Sequence, residues 1–90
     1  MGPNAGCMDA LLTGVLAADD EAGVVVEATD GTTILVVWPH GWAAVDQDGM
    51  RILLNDRGDP IARAGDHVEI GGGQGGDGRW YTCGEVTRVP

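Results

Sequence analysis

Two tryptophans bracket a proline, a histidine and a glycine in the segment Trp38–Trp42. Proline has no backbone donor and restricts the residue before it, so this segment predicts a turn that interrupts strand pairing. Partly exposed indole rings are surfaces on which sugars, peptides and proline-rich ligands stack. The alternative is that Trp38 covers the hydrophobic core and His40 is a solvent-exposed turn residue. The predicted ligand-binding residues are Trp38, His40, Trp42 and, where the fold brings it alongside, Trp80.

The two cysteines, Cys7 and Cys83, lie near opposite ends of the chain. A disulfide between them would close a long loop and stabilise the fold by about 3–4 kcal/mol in the chain-entropy model. The alternative is that they are buried free thiols, which are common in protein interiors. With His40 and His67 they could form a Cys₂His₂ zinc site, but no short Cys-x-x-Cys or His-x₃-His spacing supports one. We therefore predict a possible disulfide, no metal and no cofactor.

Nucleophilic catalysis has little support in the sequence. Serine is absent, and neither cysteine has a histidine beside it in the chain. The segment Gly71–Gly78 formally matches a dinucleotide-binding fingerprint, but it leads into a strand rather than the required helix. We interpret it instead as a mobile hairpin loop. No catalytic residue is assigned, and an enzyme that depends on Cys83 or His67 is the least favoured hypothesis.

The charge balance excludes one large class of partners. Fourteen acidic residues face five arginines and no lysine, giving a formal net charge of −9. Because Lys and Arg contacts to phosphate supply most nucleic-acid affinity, we expect no binding to DNA, RNA or an anionic membrane surface. No apolar run approaches the roughly 20 residues that span a bilayer, so no membrane-spanning segment is predicted. A leader preceding residue 1 would not be visible, so the sequence leaves a cytoplasmic or an extracytoplasmic location open.

From Leu11 onward, short β-prone runs alternate with turn residues at intervals of about ten, which is typical of an all-β fold. Asp30-Gly31, between two valine- and isoleucine-rich runs, predicts a hairpin, and Asp48-Gly49 predicts a second one. The run 34–38 is apolar on both faces and is predicted to form a central strand. The expected architecture is one domain, with an irregular arm over 1–9 and a small barrel of about six short strands over 10–90, SH3-like or OB-like.

Two segments resemble a known group of proteins. They are Leu-Val-Val-Trp-Pro-x-Gly at 35–41 and Ile-Ala-Arg-Ala-Gly-Asp-x-Val-x-Ile-Gly-Gly-Gly at 61–73. They are similar to small uncharacterised actinobacterial β-domain proteins, some of which are predicted lipoproteins. That group has no assigned activity or catalytic residues, so the resemblance implies an origin rather than a mechanism. The residues ending in Cys7 are similar to the end of a lipobox, although no apolar region precedes them.

The favoured functional hypothesis is a non-catalytic binding module. Its partner would be a small ligand or a protein that contacts the Trp38–Trp42 turn. The alternative is a purely structural accessory domain, monomeric or associating as a homodimer through an open strand edge.

Overall fold

The computed structural model describes residues 10–89, with the backbone alone for residues 84 and 85. This part of the chain contains strands and turns and no helix, so the all-β prediction is confirmed. The predicted arm over 1–9 lies outside the described residues. The strands in chain order are β1 (Ala10–Asp19), β2 (Gly23–Ala28), β3 (Thr33–Ile34), β4 (Val36–Val37), β5 (Ala43–Gln47), β6 (Met50–Leu54), β7 (Pro60–Arg63), β8 (His67–Gln74) and β9 (Trp80–Val89).

Both predicted hairpins are confirmed, and their turn residues explain them. Asp30 accepts a hydrogen bond from the Thr32 amide at 2.9 Å, and Gly31 adopts a φ of 90° that most side chains disfavour. The resulting turn joins β2 to β3 in antiparallel pairing. Asp48 and Gly49 have φ values of 54° and 78°, as a two-residue turn between twisted strands requires. They join β5 to β6.

Six strands form a nearly closed barrel, in the order β3-β2-β1-β8-β9-β4. The two outermost strands, β3 and β4, are separated in sequence only by Leu35. The chain therefore crosses directly from one edge of the sheet to the other, and we call this gap between the two edges the seam. On the far side of the seam, β4 pairs in parallel with β9, and the Leu35 carbonyl accepts a hydrogen bond from the Trp80 amide at 2.8 Å. The predicted continuous central strand over 34–38 is therefore wrong. Closing the barrel splits that run, and Leu35 is 44% exposed at the break.

A second sheet, in the order β5-β6-β7, packs against the barrel. Its inner face contributes Leu53 and Ala62 to the same core that the barrel strands fill. Apolar burial of this kind supplies most of the stabilisation of a small domain. The buried core residues are Leu12, Leu16, Val24, Val26, Leu53, Ala62, Val68, Ile70 and Trp80.

Arg51 on β6 fastens the second sheet to the barrel. Its guanidinium donates to the Asp46 carboxylate at 2.6 Å and to the backbone carbonyls of Asp19 and Gly23, on either side of the β1–β2 turn. The hydrogen bond from Arg51 lowers the pKa of Asp46, and the same bond raises the pKa of Arg51. This single side chain therefore links β5, β6 and the β1–β2 turn.

The glycine-rich segment differs from the predicted mobile loop, and that interpretation is wrong for its first half. Residues 71–74 continue β8 and pair with β9, with a register shift between Ile70 and Gly72. Gly72 is buried, and a side chain there would lie 2.1 Å from the Tyr81 carbonyl oxygen. The glycines are thus required by the close approach of two backbones rather than by mobility. Only residues 75–79 form a turn, closed by a 2.8 Å bond from the Gly75 amide to the Arg79 carbonyl.

Within residues 10–89, no helix is long and apolar enough to cross a membrane.

Candidate functional site

The Trp38–Trp42 turn places its two indole rings in nearly parallel planes. The ring centroids are 6.2 Å apart and the ring planes differ by 3°. The turn is closed by a 3.2 Å hydrogen bond from the Trp42 amide to the Pro39 carbonyl. Gly41 has a φ of 88°, and a side chain there would lie 2.9 Å from Cβ of Asp56. Proline, glycine and the stacked rings therefore restrict the orientation of both indoles.

The structure brings three of the four predicted binding residues together. Trp38 and Trp42 are half-buried and pack against the core, and His40 is exposed at the tip of the turn. Trp80 is instead 8% exposed and belongs to the core cluster against which Trp38 and Trp42 pack. Its ring nitrogen and that of Trp38 are buried without a hydrogen-bond partner in the described part of the chain. Trp80 consequently offers little surface to a ligand.

Trp42 lines a shallow depression of about 500 Å³ between the second sheet and β9. A neighbouring depression of about 480 Å³ shares Pro60, Ile61 and Arg88 with it and extends to Ile52 on β6. We call the two together the Trp42 groove. Its apolar lining is formed by Trp42, Ile52, Pro60, Ile61 and Val86.

Three of the five arginines of this acidic chain line the Trp42 groove: Arg57, Arg63 and Arg88. The nearest carboxylate oxygen to Arg57 belongs to Asp59 at 3.5 Å, while Arg63 and Arg88 share Asp66 at 3.9 Å each. These separations exceed the roughly 2.7–2.9 Å of a charge-assisted hydrogen bond. The three guanidinium groups therefore retain donors for a ligand, unlike that of Arg51.

Cys83 and His67 do not lie together on the described part of β8 and β9. Cys83 is half-buried on β9 and is not a free cysteine, while Cys7 lies outside the described residues, so the disulfide between them stays a prediction. His67 pairs with Val89 and is thus about 20 Å along β9 from Cys83, at roughly 3.3 Å a residue. No group of three or more potential metal ligands occurs over residues 10–89.

One hydrogen-bonded acid–base pair lies on the turn formed by residues 75–79. The Tyr81 hydroxyl donates to the Asp77 carboxylate at 2.6 Å. This hydrogen bond raises the pKa of Tyr81 and lowers the pKa of Asp77. Asp77 also accepts from the Arg79 amide at 3.1 Å, and the Tyr81 ring covers Gly75. The pair orders the turn, and the hydrogen bond between the two side chains accounts for both pKa shifts.

Sequence reasoning found the turn but missed the groove. Arg57 precedes β7 and Arg63 ends it, whereas Arg88 lies on β9, so no local motif joins all three. The signal in the sequence was the scarcity of basic residues. With only five arginines and no lysine, each arginine of this acidic chain was a candidate for a binding surface.

Comparisons with protein-family models, with curated proteins and with solved structures found no match to this chain. The resemblance to actinobacterial β-domain proteins therefore stays a prediction.

Proposed function

We propose that this protein is a non-catalytic binding module that contacts a ligand or a protein partner through Trp42 and the groove beside it. The observation that carries this proposal is the position of Trp42, which is half-buried, stacked on Trp38 and lines the groove. Ligand sites are concave and combine apolar side chains with polar groups that set orientation, and the Trp42 groove places apolar residues beside arginines.

The rigidity of the turn supports the same proposal. A side chain that is already ordered in the free protein loses little conformational entropy when a partner binds. The parallel stacking of Trp42 on Trp38 provides this order on one face of the ring. His40, exposed next to Trp42, can donate or accept a hydrogen bond at the edge of the site.

A second candidate function is self-association, and one observation favours it. On the outer face of the second sheet, Val45 and Met50 are 36% and 37% exposed, beside the partly buried Ile52. An apolar sheet face without a covering layer is a typical interaction surface. Sedimentation measured over a wide concentration range distinguishes a homodimer from a monomer that binds another partner.

The experiment that tests the proposed function is a ¹H–¹⁵N NMR titration with oligosaccharides, peptides and divalent ions, following each indole N–H signal. We expect the Trp42 signal to shift first and the Trp80 signal to remain unchanged. Trp42→Leu, which keeps the half-buried side apolar, should weaken binding of the ligand so identified by about ten-fold or more, the range of an aromatic hot spot. Leu35→Ala is the matched control, because Leu35 is exposed and lines a different depression. Equal affinity of the wild type and Trp42→Leu contradicts the proposal.

A further inference from the structure

Strand β6 places its arginine on the inner face and apolar side chains on the outer face, the reverse of the usual arrangement in a sheet with one solvent-exposed face. An antiparallel sheet with one wet face normally presents polar side chains to water. In β6 the core-facing positions are Arg51 and Leu53. Leu53 is fully buried, and Arg51 lies two residues before it and so on the same face of the strand. The other face therefore carries Met50, Ile52 and Leu54. This arrangement leaves an apolar surface on the outside of the domain.

The Trp42 groove continues this apolar surface and adds positive charge to it. Ile52 belongs to both, and Arg63 is its register partner on β7. Arg63 and Arg88 lie on the two sides of the single carboxylate of Asp66, so this corner of the groove has an excess of one positive charge. Such an excess is unusual on a chain of net charge −9.

Resting on the proposed function, we infer that the partner of the Trp42 groove is a peptide segment of another protein that carries apolar side chains beside acidic ones. The apolar side chains contact Trp42, Ile52 and Ile61. The acidic ones accept hydrogen bonds from Arg63 and Arg88, whose donors are not satisfied by Asp66. Bidentate pairing of arginine with a carboxylate orients the peptide in the Trp42 groove.

Charge distinguishes this partner from two others. A long polyanion such as a nucleic acid is repelled by the overall negative field, whereas a segment with one or two carboxylates interacts mainly with the arginines within a Debye length of about 8 Å. A second copy of the chain fits less well, because it carries the same formal net charge of −9 and is repelled by the first.

The test uses three synthetic peptides that share alternating leucines and differ only in the residue between them, which is Glu, Gln or Lys. Binding is followed by ¹H–¹⁵N shifts of the intact protein. We expect the Glu peptide to bind at least several-fold more tightly than the Gln peptide and the Lys peptide to bind most weakly. Binding of the Glu peptide should weaken as salt is raised, because the arginine contacts are exposed to solvent.

Two variants test whether the preference for the Glu peptide arises from the arginines of the Trp42 groove. Arg63→Gln and Arg88→Gln should each weaken the Glu peptide by about two- to five-fold, as expected for exposed ion pairs, and leave the Gln peptide unchanged. Arg63 and Arg88 are 61% and 63% exposed, so both variants should fold. Arg79→Gln is the matched control, because Arg79 is 55% exposed and lines a separate depression.

The outcomes separate this inference from the proposed function. If the Gln or Lys peptide binds as tightly as the Glu peptide, or if no peptide binds, the inference is overturned. The proposed function survives that result when another ligand of the wider panel shifts the Trp42 signal, and it falls when none does. A concentration-dependent dimer that occupies the Met50 and Ile52 face also overturns the inference and supports self-association.

Discussion

Replacing Gly72 by alanine tests whether the glycine-rich segment is a paired strand or a mobile loop. Gly72 has a φ of 152°, a conformation that residues with a side chain rarely adopt. A Cβ atom there would lie 2.1 Å from the Tyr81 carbonyl oxygen and 3.0 Å from the Cys83 amide nitrogen. Both contacts are with the backbone of β9, so no side-chain rotation can relieve them.

The magnitude follows from these contacts. Strands β8 and β9 must separate locally by about an ångström, and overpacking of this kind costs about 1–3 kcal/mol. The unfavourable φ adds roughly 1–3 kcal/mol. We expect Gly72→Ala to lower the free energy of unfolding by about 2–6 kcal/mol, a large part of the 5–15 kcal/mol typical of a whole domain. Gly76→Ala is the control, because a side chain there meets nothing within 4 Å.

The assay is urea denaturation followed by tryptophan fluorescence. Because Gly76 lacks a positive φ, Gly76→Ala should leave stability unchanged or raise it by about 0.4–1 kcal/mol through the unfolded state. A Gly72→Ala protein within about 0.5 kcal/mol of the wild type, the range of an ordinary surface substitution, would refute the paired-strand description. The segment would then be the mobile loop that its composition predicts.

Three further predictions concern other parts of the molecule. Tyr81 is the only tyrosine, so its phenolate absorbance should show a midpoint above the ordinary tyrosine pKa of about 10, and Asp77→Asn should bring that midpoint back toward it. Because the folded-state pKa of Tyr81 is raised, the stabilisation from its hydrogen bond to the ionised Asp77 is present at neutral pH and is lost as the pH rises through the raised pKa. Arg51→Leu should lower the urea midpoint, because the backbone carbonyls of Asp19 and Gly23 lose their hydrogen-bond donor. A midpoint equal to that of the wild type would show that apolar packing alone holds the second sheet. Unfolded, unreduced protein should show no reactive thiol if Cys7 and Cys83 are bonded, whereas two thiols before reduction would exclude the disulfide.

The sequence predicted local features well because their causes are local. Asp30-Gly31 and Asp48-Gly49 specify their turns through backbone preferences that operate within four residues. The split at Leu35 was not predictable in this way, since it depends on where the two ends of a sheet meet. Gly72 shows the same limit. A glycine required by a neighbouring backbone and a glycine in a free loop have the same appearance in a sequence.

The candidate site was predictable in part for the same reason. The Trp38–Trp42 turn is contiguous, and its proline and glycine identify it. Trp80 shares its residue type with Trp42 but lies inside the core, and only the alternation of β9 in the nearly closed barrel decides that difference. Arg63 and Arg88 meet at Asp66 only because β7 ends beside β9.

The seam at Leu35 has a consequence for hydrogen exchange. On each side of it, only two residue pairs hold the edge strands: Val26 with Ile34 and Glu27 with Thr33, then Val36 with Trp80 and Val37 with Tyr81. Amides in short, partly exposed pairings exchange through local opening well below the global free energy of unfolding. Residues 33–37 should therefore exchange before β1 and β8. Since Trp38 follows directly, a partner that immobilises the turn should slow exchange across the seam, which makes the barrel closure itself a reporter of binding.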